Sequence, residues 1–128
     1  KEFIPYEQAL ALKELGFDEP CFGCYDNFNI WIIDRNSKIE HKNSIYSNNE
    51  LYKGVILAPL YQQAFRWFRE KYDLRIWVES NYGVLKFEYV IYTTNPNFLD
   101  KQFNDFSGYK TYEEAELECL KKLIEIVK

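Results

Sequence analysis

Leu74-Arg75-Ile76-Trp77-Val78-Glu79-Ser80-Asn81-Tyr82-Gly83-Val84-Leu85-Lys86-Phe87-Glu88-Tyr89-Val90-Ile91-Tyr92 carries two alternations joined by a turn. In the first arm Leu74, Ile76 and Val78 alternate with Arg75, Trp77 and Glu79. After Asn81-Tyr82-Gly83, the residues Leu85, Phe87, Tyr89 and Ile91 alternate with Lys86, Glu88, Val90 and Tyr92. Successive strand side chains point to opposite faces. Period-2 patterning over both arms therefore predicts an antiparallel hairpin with one buried and one wetter face. The buried face would hold the first-named set. The wetter face would hold Arg75, Trp77, Glu79, Lys86, Glu88 and Tyr92, an amphipathic row suited to binding or to a dimer seam.

Helical patterns flank this hairpin. Upstream, Pro59 opens a helix over 59–72, with Leu60, Ala64, Phe65, Trp67, Phe68 and Tyr72 apolar and Asp73 at its end. Downstream, Thr111 is an N-cap and Glu114, three residues on, completes a capping box. Ala115, Cys119, Leu120, Leu123, Ile124 and Val127 form the stripe of that last helix. Residues 5–15 read as the first helix, with Pro5 in its first position, a stripe of Ala9, Leu10, Leu12 and Leu15, and Gly16 just past its end. Residues 20–25 and 29–34 read as a second hairpin turned at Asp26-Asn27. The polar segment 35–54 reads as a long loop with one weak strand near 38–46, and 95–109 as a second long loop.

The chain thus reads as α+β: an antiparallel sheet of about four to five strands with three helices on one face, in the order α-β-β-α-β-β-α. An echo runs through it. Tyr6-Glu7-Gln8-Ala9, Tyr61-Gln62-Gln63-Ala64 and Tyr112-Glu113-Glu114-Ala115 all begin helices. Shared first-turn chemistry accounts for this, and so would a duplicated αββ unit; the first is the preferred reading.

With 128 residues, 47% of them hydrophobic, one domain spanning 1–128 with a single core is expected. Eleven Tyr, ten Phe and three Trp exclude a disordered composition. Sixteen Lys and Arg against twenty Asp and Glu leave a net charge of −4, which argues against a duplex nucleic-acid coat. No apolar run reaches the ~18 residues of a membrane span, so no membrane partner is expected. No basic segment followed by an apolar one opens the sequence, and three reduced cysteines in a cytoplasm are the expectation.

Chemistry-bearing motifs are few. Cys21-Phe22-Gly23-Cys24 has the spacing of a zinc knuckle or a redox pair. A tetrahedral zinc site needs four ligands, no second cysteine pair exists, and Cys119 falls on a core stripe. Packed thiols are the preferred reading. His41, the lone histidine, lies in a polar loop and could serve a hydrolase as general base, the least favoured class. No glycine-rich phosphate loop occurs. No metal and no cofactor is called for, and an enzyme is less expected than a binding protein. Guanidinium groups interleaved with aromatics remain: Arg66, Arg69 and Arg75 beside Trp67, Tyr72 and Trp77. Arg forks match phosphates and aromatic faces stack on bases, while Tyr, Trp and Arg also dominate protein–protein hot spots. The candidate ligand-binding residues are Arg66, Arg69, Arg75, Trp77 and Tyr92.

The segments 3–21, 58–72 and 111–124, from Phe3-Ile4-Pro5-Tyr6-Glu7-Gln8-Ala9 through Ala58-Pro59-Leu60-Tyr61-Gln62-Gln63-Ala64 to Thr111-Tyr112-Glu113-Glu114-Ala115, carry a resemblance. They resemble a family of short proteins of unknown function encoded by tailed phages, prophages and Bacteroidota. Members of that family often carry an aromatic where Cys24 stands, which further weakens the metal reading. The resemblance brings no activity and no catalytic residues. It implies a phage-type accessory protein in the host cytoplasm. The expected function is non-enzymatic: an anti-defence protein sequestering a nucleotide-derived immune signal, or alternatively an inhibitor or accessory protein that binds a host defence protein. A homodimer, through the open sheet face or an edge strand, is the expected assembly.

Overall fold

The structure, a computed structural model, describes residues 3–26, 29–32, 56–81, 83–99 and 105–128. The chain is α+β, with three helices and antiparallel strands among the described residues. It divides into two compact units, residues 1–63 and 64–128. The described strands form two three-stranded sheets rather than the one expected.

In the first unit, α1 (Tyr6–Glu14) is followed by the expected hairpin of β1 (Gly23–Asp26) and β2 (Asn29–Ile32). A third strand, β3 (Ile56–Ala58), pairs with β1 and packs against α1. All three β3 residues are buried, as befits an apolar run between Gly54 and Pro59. Pro5 is the N-cap of α1 rather than its first helical residue: its ψ of 159° is extended. Gly16, with φ 92°, closes the helix as expected. Its N–H donates to the Lys13 carbonyl, and that of Phe17 to the Leu12 carbonyl, the paired bonds of a Schellman end. Ala9 and Leu12 turn inward while Leu10 is exposed, because a two-residue stripe at spacing three leaves position 10 to one side. The Tyr25 hydroxyl donates to the Ile4 carbonyl at 2.8 Å, and its ring meets Tyr6 edge-on at 5.5 Å.

Helix α2 (Tyr61–Tyr72) begins in the first unit and lies mostly in the second, burying Ala64, Phe65, Trp67 and Phe68. The expected hairpin follows as β4 (Arg75–Asn81) and β5 (Lys86–Tyr92), paired without a break from Arg75 opposite Tyr92 to Asn81 opposite Lys86. A third strand, β6 (Asp105–Tyr109), lies within the segment expected to be loop and adds to β5 with a register shift. Gly108 sits near that shift with φ 79°, and a Cβ there would come within 2.7 Å of the Lys86 side chain. Helix α3 (Tyr112–Val127) packs on this sheet. The Glu114 N–H donates to Thr111 Oγ1 at 3.1 Å, and the Lys110 N–H to Glu114 Oε2 at 3.1 Å. The buried stripe of α3 is the expected one with Ile126 in place of Val127.

The element order repeats between the units, but the strand order does not. β3 joins the first arm of its hairpin, whereas β6 joins the second arm of its own.

The register of the second hairpin follows the alternation. Tyr89 and Ile91 are 4% and 2% exposed beneath α3, while Trp77 and Tyr92 on the opposite face are 46% and 44% exposed. Leu85 departs from the pattern. It is 84% exposed with φ 51° and belongs to the turn. The Asn81 side chain accepts from the Gly83 N–H, and its carbonyl from the Val84 N–H. That turn leaves Leu85 to close a four-residue loop in the left-handed region.

Candidate recognition face

The site grows from the end of α2. Asp73 takes φ 57°, a conformation rare outside glycine but tolerated by Asp and Asn, and so stops the helix and turns the chain into β4. Its side chain ties the two strands together. Oδ2 accepts from the Thr94 N–H at 3.0 Å and from Thr94 Oγ1 at 2.5 Å. Oδ1 lies 3.1 Å from Arg75 Nη2. The Thr94 hydroxyl and N–H, helped by the Arg75 guanidinium, hold the Asp73 carboxyl below the usual carboxylate range.

Arg75 faces Tyr92 across the hairpin. Nη1 donates to the Tyr92 hydroxyl in a long bond of 3.5 Å, and Cζ lies 5.7 Å from the ring centroid. Bonding to Tyr92, and then the charge of Asp73, push the guanidinium pKa up further, so this cation is fixed. Trp77 stands two residues along β4 and opposite Val90, which places it diagonal to Tyr92. The two rings meet at 5.7 Å and 64°. Asp73, Arg75, Tyr92 and Trp77 therefore form one braced row on the exposed face.

Around that row the charges are mixed, with anions in slight excess. Glu79 and Lys86 are exposed and Glu88 is half-buried on the same face, so Arg75 and Lys86 stand against Glu79, Glu88 and Asp73. This field does not concentrate a polyanion. Of the five expected binding residues, Arg75, Trp77 and Tyr92 come together. Arg66 and Arg69 are exposed one turn apart on α2, a different element. Sequence reasoning missed Asp73 and Thr94. The signal was a helix end lacking glycine, where Asp is the next best left-handed residue, followed after the hairpin by Thr93-Thr94-Asn95.

The cysteines have the opposite of reactive surroundings. Cys21 and Cys24 are buried, and the Cys21 thiol donates to the Glu19 carbonyl at 3.3 Å. Burial, with the nearby Glu19 charge, pushes the Cys21 pKa up to about 12. Burial and Glu116 push up that of Cys119, inside α3, as well. Reactive thiols need lowered values. Among the described residues no group of three or more His, Cys, Asp or Glu is gathered as metal ligands would be. No helix among them is long and apolar enough to cross a membrane. His41 and the weak strand near 38–46 lie outside the described residues. The chain matches no protein-family model, no curated protein and no solved structure in three separate comparisons.

Proposed function

We propose that the chain is a non-catalytic recognition protein, of the accessory kind implied by the phage-type resemblance. It binds a host protein through the outer face of β4 and β5. The observation that carries this reading is the braced row of Arg75, Tyr92 and Trp77, each a little under half in solvent and each held by a neighbour. These are the residue types that supply most binding energy at protein interfaces, and bracing lowers the entropy lost when a partner docks. The mixed charge around them suits a protein surface of mixed charge.

A nucleotide-derived signal is the second reading. It is favoured by a guanidinium lying beside two aromatic rings that could stack a base. Against it, the Asp73 carboxylate already occupies one side of the Arg75 fork at 3.1 Å and would repel a phosphate there.

Capture from host lysate with the wild-type chain and with Trp77→Ala and Tyr92→Ala separates the two. A host protein retained by the wild type and lost from both variants supports the proposal. A thermal shift with cyclic dinucleotides or ADP-ribose derivatives, and no captured protein, would replace it by the second reading. A ligand at a hundredfold excess over its Kd stabilises by about 2.7 kcal/mol, which such a shift would reveal.

A further inference from the structure

The edge of β4 carries information that its face does not. Among the described residues β4 is hydrogen-bonded to β5 alone, so its second edge presents backbone N–H and C=O groups to no strand. Exposed edges are usually blunted by proline, a bulge or like charges. β4 has no proline, and its pairing with β5 is unbroken over seven residues. Its two charges are opposite in sign and stand symmetrically about Trp77, with Arg75 two residues before it and Glu79 two residues after.

That symmetry has a consequence for a second copy of the chain. Laid antiparallel along β4 and centred on Trp77, the partner's Glu79 falls opposite Arg75 and the partner's Arg75 opposite Glu79. Ile76 then meets the partner's Val78 on the helix side, and Trp77 meets the partner's Trp77 on the outer side. Moving the centre one residue along faces Trp77 with the partner's Glu79 and leaves Arg75 opposite the partner's Asn81. Moving it one residue back faces Arg75 with the partner's Trp77. Both alternatives lose the two charge pairs. The geometry points to a two-fold homodimer made by antiparallel pairing of β4 with the partner's β4, in the register centred on Trp77. The result is one six-stranded sheet, with α3 and the partner's α3 on one face. The exposed rows of Arg75, Trp77 and Tyr92 from both copies join on the other. This inference concerns the edge of β4 and does not need the ligand proposed for its face.

Sedimentation of the full chain without added ligand tests it. The wild type should run at twice the 15.5 kDa chain mass at micromolar concentration. Glu79→Arg, which places like charges opposite each other twice, should weaken association about tenfold or more. Adding Arg75→Glu to Glu79→Arg should restore it. Mild oxidation gives a second, independent readout. Directly opposed Cα atoms lie about 4.5–5.5 Å apart, within disulfide reach, whereas diagonal neighbours lie about 7–8 Å apart. Trp77→Cys should therefore cross-link to itself and Val78→Cys should not. A wild type that stays monomeric, a double variant as weak as the single one, or cross-linking through position 78 instead of 77 would each overturn the inference.

Discussion

Replacing Ile91 by alanine and, separately, Trp77 by alanine asks the hairpin which of its faces is core. Ile91 is buried beneath α3, so its truncation removes packed methyl and methylene groups and leaves a cavity. Such buried truncations cost about 2–5 kcal/mol, and a well-packed site under a helix belongs near the middle, about 3 kcal/mol. Trp77 is the larger side chain but about half of it already meets water. Its loss removes partial burial and one edge-on ring contact with Tyr92, together about 1 kcal/mol. Urea unfolding followed by far-ultraviolet circular dichroism reads the difference. With a slope of about 1.5 kcal/mol per molar urea, Ile91→Ala should lower the midpoint by about 2 M and Trp77→Ala by well under 1 M. A Trp77→Ala midpoint as low as that of Ile91→Ala would show that the outer face is packed, and the recognition reading would fall with it.

Thr111→Ala should destabilise by about 1 kcal/mol in the same assay, because the Glu114 N–H loses its acceptor at the start of α3. Asp73→Asn keeps a residue that tolerates the left-handed conformation but removes the charge that Thr94 and Arg75 bind. Since the folded pKa of Asp73 is lowered, its stabilisation is present above the unfolded value near 3.8 and is lost as pH falls through the folded value. Wild type should therefore be the more stable at pH 6, and the gap should close as pH drops below about 4. A gap that is constant with pH would mean that the charge contributes nothing. Cys21 and Cys119 should resist a thiol reagent at pH 8 and react at the rate of unfolding. Burial excludes the reagent and raised pKa values keep the thiols protonated. Labelling within seconds in native buffer would contradict that.

The parts legible in the sequence are those where local chemistry and tertiary packing agree. Period-2 alternation placed Ile76, Tyr89 and Ile91 inward and Trp77 and Tyr92 outward, because one face of β4 and β5 had to meet the apolar stripe of α3. The Thr111–Glu114 cap and the Gly16 end were equally readable, each being a local bond with a fixed residue preference. The third strand of each sheet was not. β3 spans three residues and has no alternation to detect, since all three are buried. β6 is Asp105-Phe106-Ser107-Gly108-Tyr109, whose polar and glycine content reads as loop until β5 offers it an edge. Alternation within a hairpin says nothing of whether two hairpins share one sheet, so the division into two sheets was hidden as well. At the site, residue types pointed to Arg75, Trp77 and Tyr92. The carboxylate that neutralises Arg75 is two residues before it in sequence but is fixed by Thr94, twenty-one residues away. That tertiary bond tilts the reading from phosphate toward protein.

The most direct test of the proposed face is the affinity of the captured host protein for three versions of the chain. These are the wild type, Trp77→Ala, and Glu125→Ala, whose side chain is exposed on α3. An anchor residue of an interface is worth about 2 kcal/mol or more, so Trp77→Ala should weaken binding about thirtyfold. Glu125→Ala should bind as the wild type does. Undiminished binding by Trp77→Ala, or a loss confined to Glu125→Ala, would place recognition elsewhere on the molecule.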